Sequence, residues 1–194
     1  SNLSEKEADY LDRMQNAAGR MQQLLADLLS YSKVQLQVRP FEATNLEGEI
    51  EDVLSDLEVR IAETEAKVEI LKLPTIDADR SQMSQLFLNL IGNALKFNRE
   101  GVPPVITIDS SKTENNCWTV TVEDNGIGFK EKYLEKIFKP FERLHGRSAY
   151  DGSGMGMAIC QKIVARHHGT ITAKSTLGEG STFIITLPEK QKSS

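Results

Sequence analysis

The chain has 194 residues, 39% apolar and 26% charged, with a formal net charge of −5. That composition supports a real core, and its acidic balance argues against a nucleic-acid-binding surface, where positive charge clusters. No apolar run is long enough to span a membrane and no signal-peptide pattern opens the chain, so the expectation is a cytoplasmic protein with no direct membrane segment.

The length suits one domain with an appendage. Because the sequence opens on Ser1 rather than Met, a preceding segment is expected. Cys117 and Cys160 have neither metal-ligand nor redox spacing and read as buried free thiols. From about Ser4 to Val34, Leu11, Met14, Ala18, Met21, Leu25, Leu28 and Ser32 alternate at spacings of three and four. This is a heptad seam, with Ser4 and Glu7 as a capping box. Such a helix lies either on its own domain or against a missing helix or another subunit; the second reading is preferred, and with it self-association.

Arg39-Pro40-Phe41 reads as a linker. Leu46 to Ile61 repeats at helical spacing, Lys67 to Leu73 is a strand closed by Pro74, and Asp79 caps a helix running to Phe97. Gly101 to Pro104 is a loop. Val105 to Ile108 and Trp118 to Val122 form a hairpin turned at Asn115-Asn116. The polar residues from Glu142 to Ser153 suit a mobile covering loop, which ends at a glycine-rich turn opening a helix to His168. Thr170 to Ser175 and Thr182 to Leu187 are two further strands. The fold expected is α+β: a mixed sheet covered on one face by helices and preceded by one long helix.

Four local features carry chemistry. Asn89 and Asn93 share one helix edge, and an amide oxygen is a neutral ligand for a hard cation such as Mg²⁺. Lys96 follows one turn later. Asp124, ahead of Gly126 and Gly128, cannot attract a phosphate but can accept a hydrogen bond from an exocyclic amine such as that of adenine. Gly152, Gly154 and Gly156 precede a helix, whose free N–H groups favour an anion, although an ordinary flexible turn has the same composition. They are not a dinucleotide fingerprint, since Met157 stands where a further glycine is required, and no Walker-type sequence occurs.

Five boxes follow in order: Asn89-x-x-x-Asn93, Asp124-x-Gly126-x-Gly128, Phe138-x-x-Phe141, Gly152-x-Gly154-x-Gly156 and Gly178-x-Gly180-Ser181-Thr182-Phe183. Together they resemble the catalytic ATP-binding domain of bacterial sensor histidine kinases, members of the Bergerat-fold ATPases, over about residues 42–188. Arg20 to Ser32 resembles the second helix of the dimerisation and histidine-phosphotransfer hairpin. Phe141 to Gly146 is most similar to kinases linked to phytochrome-type or PAS sensors.

The resemblance implies a partial hairpin helix over residues 1–38, a catalytic two-layer sandwich over 39–188 and a tail over 189–194. It implies ATP and Mg²⁺ as cofactors. Asp124 would accept the adenine amine, while Gly126 and Gly128 would let the backbone approach the base. Asn93 would be the metal ligand, with Asn89 nearby, Lys96 on phosphate and Phe97 beside the nucleotide. Gly152, Gly154 and Gly156 would hinge the lid and bind phosphates, with Arg143 reaching in from the lid. Phe138 and Phe141 would anchor the lid, and Gly180 and Thr182 would shape the far wall.

The implied partners are the missing N-terminal hairpin helix, a second copy in a homodimer, and a response regulator receiver domain, with no nucleic acid. His145, His167 and His168 do not stand as the family's phosphoacceptor does, ahead of an acidic residue on the first hairpin helix. The acceptor is therefore expected outside this sequence. Two alternatives remain: an ATP-gated interaction module without phosphotransfer, and a hydrolysing Bergerat ATPase. The latter is disfavoured because Asn89 stands where such enzymes use a glutamate.

Overall fold

A computed structural model describes residues 5–36, 39–113, 115–144 and 152–191. The capping Ser4, His145 and the middle of the covering loop lie outside the described residues.

Five strands order as β2-β4-β5-β7-β6, built from β2 (Lys67–Ile70), β4 (Val105–Lys112), β5 (Cys117–Asp124), β6 (Thr170–Thr176) and β7 (Gly180–Pro188). Only the β2–β4 pair is parallel. Strand alternation sends Ile106, Ile108, Val120, Val122, Phe183, Ile185 and Leu187 to one face, where all are buried. Helices cover that face, giving the expected α+β sandwich. Both cysteines are free; Cys160 is fully buried, whereas Cys117 is only partly so.

The central helix α4 (Arg80–Lys96) follows from its sequence. Asp79 caps it by accepting the Gln82 N–H at 3.3 Å, and Met83, Leu86, Phe87, Leu90, Ile91, Ala94 and Leu95 form its buried stripe. After a short helix α5 (Leu134–Ile137), helix α6 (Gly156–Arg166) packs beside α4 and buries Ile159, Cys160, Ile163 and Val164.

Three segments differ from the sequence expectation. The helix expected from Leu46 to Ile61 breaks into α2 (Leu46–Asp56) and α3 (Glu58–Thr64). At Leu57 the N–H is shared between the Val53 and Leu54 carbonyls, at 3.1 and 3.2 Å, which tightens the turn and redirects the chain. The strand expected to reach Leu73 ends at Ile70. A small antiparallel sheet, β1 (Glu42–Asn45) with β3 (Thr75–Ala78), was not anticipated. β1 lacks apolar alternation; buried Thr44 instead donates to the Ala78 carbonyl at 3.2 Å.

The long helix α1 (Glu5–Leu36) meets the body along Asp27, Ser30, Tyr31 and Val34. Its heptad seam faces away, with Met14, Met21 and Leu25 about 60% exposed. Among the described residues no helix is long and apolar enough to cross a membrane.

The linker is pinned rather than free. Arg166 pairs with Asp79 at 2.9 Å, donates to the Arg39 carbonyl and lies over the Phe41 ring. Burial opposes ionisation of Asp79, but hydrogen bonds from Ser81, Arg166 and the Gln82 N–H outweigh it and hold the carboxyl below its ordinary value. His167 is fully buried, accepts the Asp79 N–H at 3.0 Å through Nε2 and donates Nδ1–H to the Ile163 carbonyl at 2.8 Å.

This neutral tautomer leaves no lone pair for a second proton, and burial holds the imidazole below its ordinary pKa of 6.5. Below pH 6.5 the unfolded chain takes up a proton that the folded chain refuses, so stability falls as pH drops from there toward the depressed folded value. Thermal melts at pH 7 and pH 5 are expected to show this loss, and His167→Gln should reduce it. An equal pH dependence in that variant would remove His167 as its source.

Candidate functional site

The loop after β5 is fixed before any ligand is considered. The Ile127 N–H donates to the Phe97 carbonyl at the end of α4 (2.8 Å), and the Gly178 N–H donates to the Ile127 carbonyl (2.7 Å). Gly128 has φ +57, and a Cβ there would lie 2.1 Å from the Thr176 carbonyl oxygen, so no other residue fits without moving backbone. A Cβ at Gly126 would likewise lie 2.4 Å from the Phe97 carbonyl. Their close approach is therefore to the protein's own backbone. That packing holds the loop beside Asp124, and Gly128 also lines the cavity next to it.

Between this loop, α4, the start of α6 and α1 lies a cavity of about 600 Å³. Asn89, Asn93, Lys96, Phe97, Asp124, Gly128, Arg143, Gly152, Gly154 and Gly156 all line it. Two expected residues do not: Gly126 is buried behind Asp124, and Thr182 points away. On β7 the alternation turns Ser181 to the cavity and sets Thr182 opposite Glu123 and Lys174 on the outer face.

At one end Asp124 Oδ1 accepts the Gly126 N–H at 2.8 Å. Burial raises the Asp124 pKa, the Gly126 and Ser181 N–H groups pull it back, and Glu123 adds to the rise. Beside it stand Ile127, Phe129 and Phe183, giving an apolar wall with one acceptor.

The other end is cationic and polar. Lys96 Nζ lies 4.6 Å from the Phe97 ring centroid. A Cβ on Gly152, which has φ +134, would come within 2.8 Å of the same ammonium. Arg143 donates to the Gly152 carbonyl at 2.8 Å, tying the covering loop to the glycine-rich turn. Asn93 lines the cavity with an amide that makes no hydrogen bond among the described residues, which leaves its oxygen available to a cation. Asn89 is placed differently. Its Oδ1 is 3.3 Å from where a Gly156 Cβ would be, and its Nδ2 is buried without a partner among the described residues. It thus lies between α4 and the start of α6, on the cavity wall.

Phe138 is buried, whereas Phe141 is 55% exposed at φ +64. Lining residues that were not expected at the site include Arg60, Gln23 and Asp27. Arg60 reaches the cavity because of the break at Leu57, while Gln23 and Asp27 come from α1. No periodicity marks them, because each sits on a helix surface. The whole arrangement suits a flat heterocycle with an amine edge and an anionic tail.

A family model described as histidine kinase-, DNA gyrase B- and HSP90-like ATPase matches residues 78–191. Cyanobacterial phytochrome A from a Nostoc species is 46% identical over 168 residues, covering 87% of this chain and 22% of its own length. The chain thus spans about a quarter of the length of the curated relatives it matches. Full-length ShkA in complex with AMPPNP superposes with a TM-score of 0.74 at 23% identity, covering 100% of this chain and 41% of that one. The histidine kinase ThkA in complex with the response regulator TrrA gives 0.71 at 26% identity, covering 97% and 53%.

Proposed function

The chain belongs to the histidine kinase-, DNA gyrase B- and HSP90-like ATPase family as a sensor histidine kinase catalytic domain, and from that premise we propose that it transfers the γ-phosphate of ATP to a histidine on a separate hairpin helix. The observation that carries the reading is the two-ended cavity, with buried Asp124 at one end and Lys96 beside the glycine-rich start of α6 at the other.

Phosphoryl transfer asks a protein mainly for position and charge neutralisation. In this reading Asp124 accepts the adenine amine, and Phe97 and Phe129 wall the base. Lys96 and the first N–H groups of α6 meet the phosphates, and Arg143 completes that end from the covering loop. The residues fit a magnesium ion through Asn93, whose amide oxygen is uncommitted and of the hard, neutral type that Mg²⁺ accepts. When bound, the metal would neutralise phosphate charge. His167 is excluded as acceptor because its two ring nitrogens are engaged in the core. Helix α1 (Glu5–Leu36) acts in this reading as a hairpin helix, whose exposed seam meets a partner helix and a second copy. A receiver domain then takes the phosphoryl group onward.

Incubation with γ-labelled ATP, magnesium and a separately supplied histidine-bearing hairpin is expected to put acid-labile label on the hairpin. ATP binding without label would favour the interaction-module reading, and steady phosphate release without hairpin would favour hydrolysis.

A further inference from the structure

We propose that Asp27 of α1 competes with the nucleotide's phosphates for the start of α6, so that docking of α1 and seating of a triphosphate oppose one another. The proposal rests on the nucleotide reading above. Ser153 stands between Gly152 and Gly154, just ahead of α6. Its hydroxyl donates to Asp27 Oδ2 and accepts the Met155 N–H at 3.1 Å. The other carboxylate oxygen, Oδ1, accepts from Gln23 Nε2 at 2.9 Å. Asp27 and Gln23 line the same cavity as Asn93 and Lys96, although α1 lies more than a hundred residues from the glycine-rich turn in sequence.

The chemistry is that of an internal anion. A helix start favours negative charge because its first N–H groups are unpaired and the peptide dipoles add there. In this structure the side chain offered to that turn is a carboxylate. A triphosphate bound at the same turn would face Asp27 as a like charge in a partly enclosed space.

The rest of the α1 contact is built to be definite. Lys162 lies 3.9 Å over the Tyr31 ring, Gln85 donates to Ser30 Oγ, and Gln82 donates to the Val34 carbonyl at 3.1 Å. By reciprocity, anything that draws α1 away raises nucleotide affinity, and nucleotide binding loosens α1. A signal that moves this helix would thereby set how readily the site fills.

The test is calorimetric titration of the whole chain with magnesium-ATP and with adenosine, in wild type and in Asp27→Ala. Alanine favours the helix, so α1 persists. Asp27→Ala is expected to bind magnesium-ATP roughly fivefold tighter or more, within the usual range of coupling between sites. Adenosine, lacking phosphates, should bind both proteins equally. If wild type binds both ligands and the variant binds ATP no tighter, the competition is overturned and the nucleotide site stands. Equal tightening for adenosine would also overturn it, since the effect would then not concern phosphate. A wild type that binds neither ligand overturns the nucleotide reading and the proposal with it.

Discussion

Asp124→Asn is expected to weaken ATP binding by about 2–3 kcal/mol, or roughly 30- to 150-fold, the scale of a buried hydrogen bond to a charged group. The geometry supplies the reason. The Gly126 N–H needs an acceptor and has one in Asp124 Oδ1 at 2.8 Å. An asparagine would keep its oxygen on that N–H and turn its NH₂ toward the cavity. A donor would then face the adenine amine, itself a donor.

The same argument predicts a change of preference. A 6-oxo purine triphosphate should gain on ATP in the variant, because its oxygen can accept from the new NH₂. Titration of both nucleotides against both proteins checks this; undiminished ATP affinity would remove Asp124 from the adenine role. Because burial raises the Asp124 pKa, ATP affinity should begin to fall on acidification at a higher pH than for a solvent-exposed carboxylate.

Asp124 stood out in the sequence as an acidic residue at a strand end just ahead of Gly126 and Gly128, a pattern that an ordinary turn shares, so the adenine role came from the resemblance and not from the local residues. The stripe of α4 and the alternation of β4, β5 and β7 were legible for a simpler reason: their periods match the surfaces they bury. The small β1–β3 sheet was not, since β1 has no apolar alternation of its own: it buries Thr44, while Ile76 and Ala78 of β3 supply the apolar contact. Thr182 illustrates the limit of a motif: the box was found, but a one-residue step along β7 decides whether Ser181 or Thr182 meets the cavity. At Gly126 and Gly128 the backbone packs against Phe97 and Thr176, contacts between distant segments that no local sequence window shows. Asp27 could not have been found, because its role depends on where a distant helix docks.

Asn93→Ala is expected to abolish the magnesium dependence of nucleotide binding and to slow phosphotransfer to a supplied hairpin by more than about a hundredfold. Loss of a metal's direct ligand should exceed the 10- to 100-fold usual for its outer partners. Alanine leaves the helix intact: the Phe97 N–H bond to the residue 93 carbonyl, 2.9 Å, is made by backbone, and the propensity improves. What is lost is one uncommitted oxygen on the cavity wall, one turn before Lys96.

The contrast with Asn89 sharpens the experiment. That amide lies against Gly156 with a buried, unpartnered Nδ2, so Asn89→Ala should chiefly lower thermal stability and disturb the α4–α6 contact. Titrations of ATP with magnesium and with chelator, run on wild type and on each variant, separate the two roles. Wild-type affinity that is the same with and without magnesium would take the metal away from Asn93. A magnesium requirement lost in Asn93→Ala and kept in Asn89→Ala would assign the cation to one residue of the pair and the packing to the other.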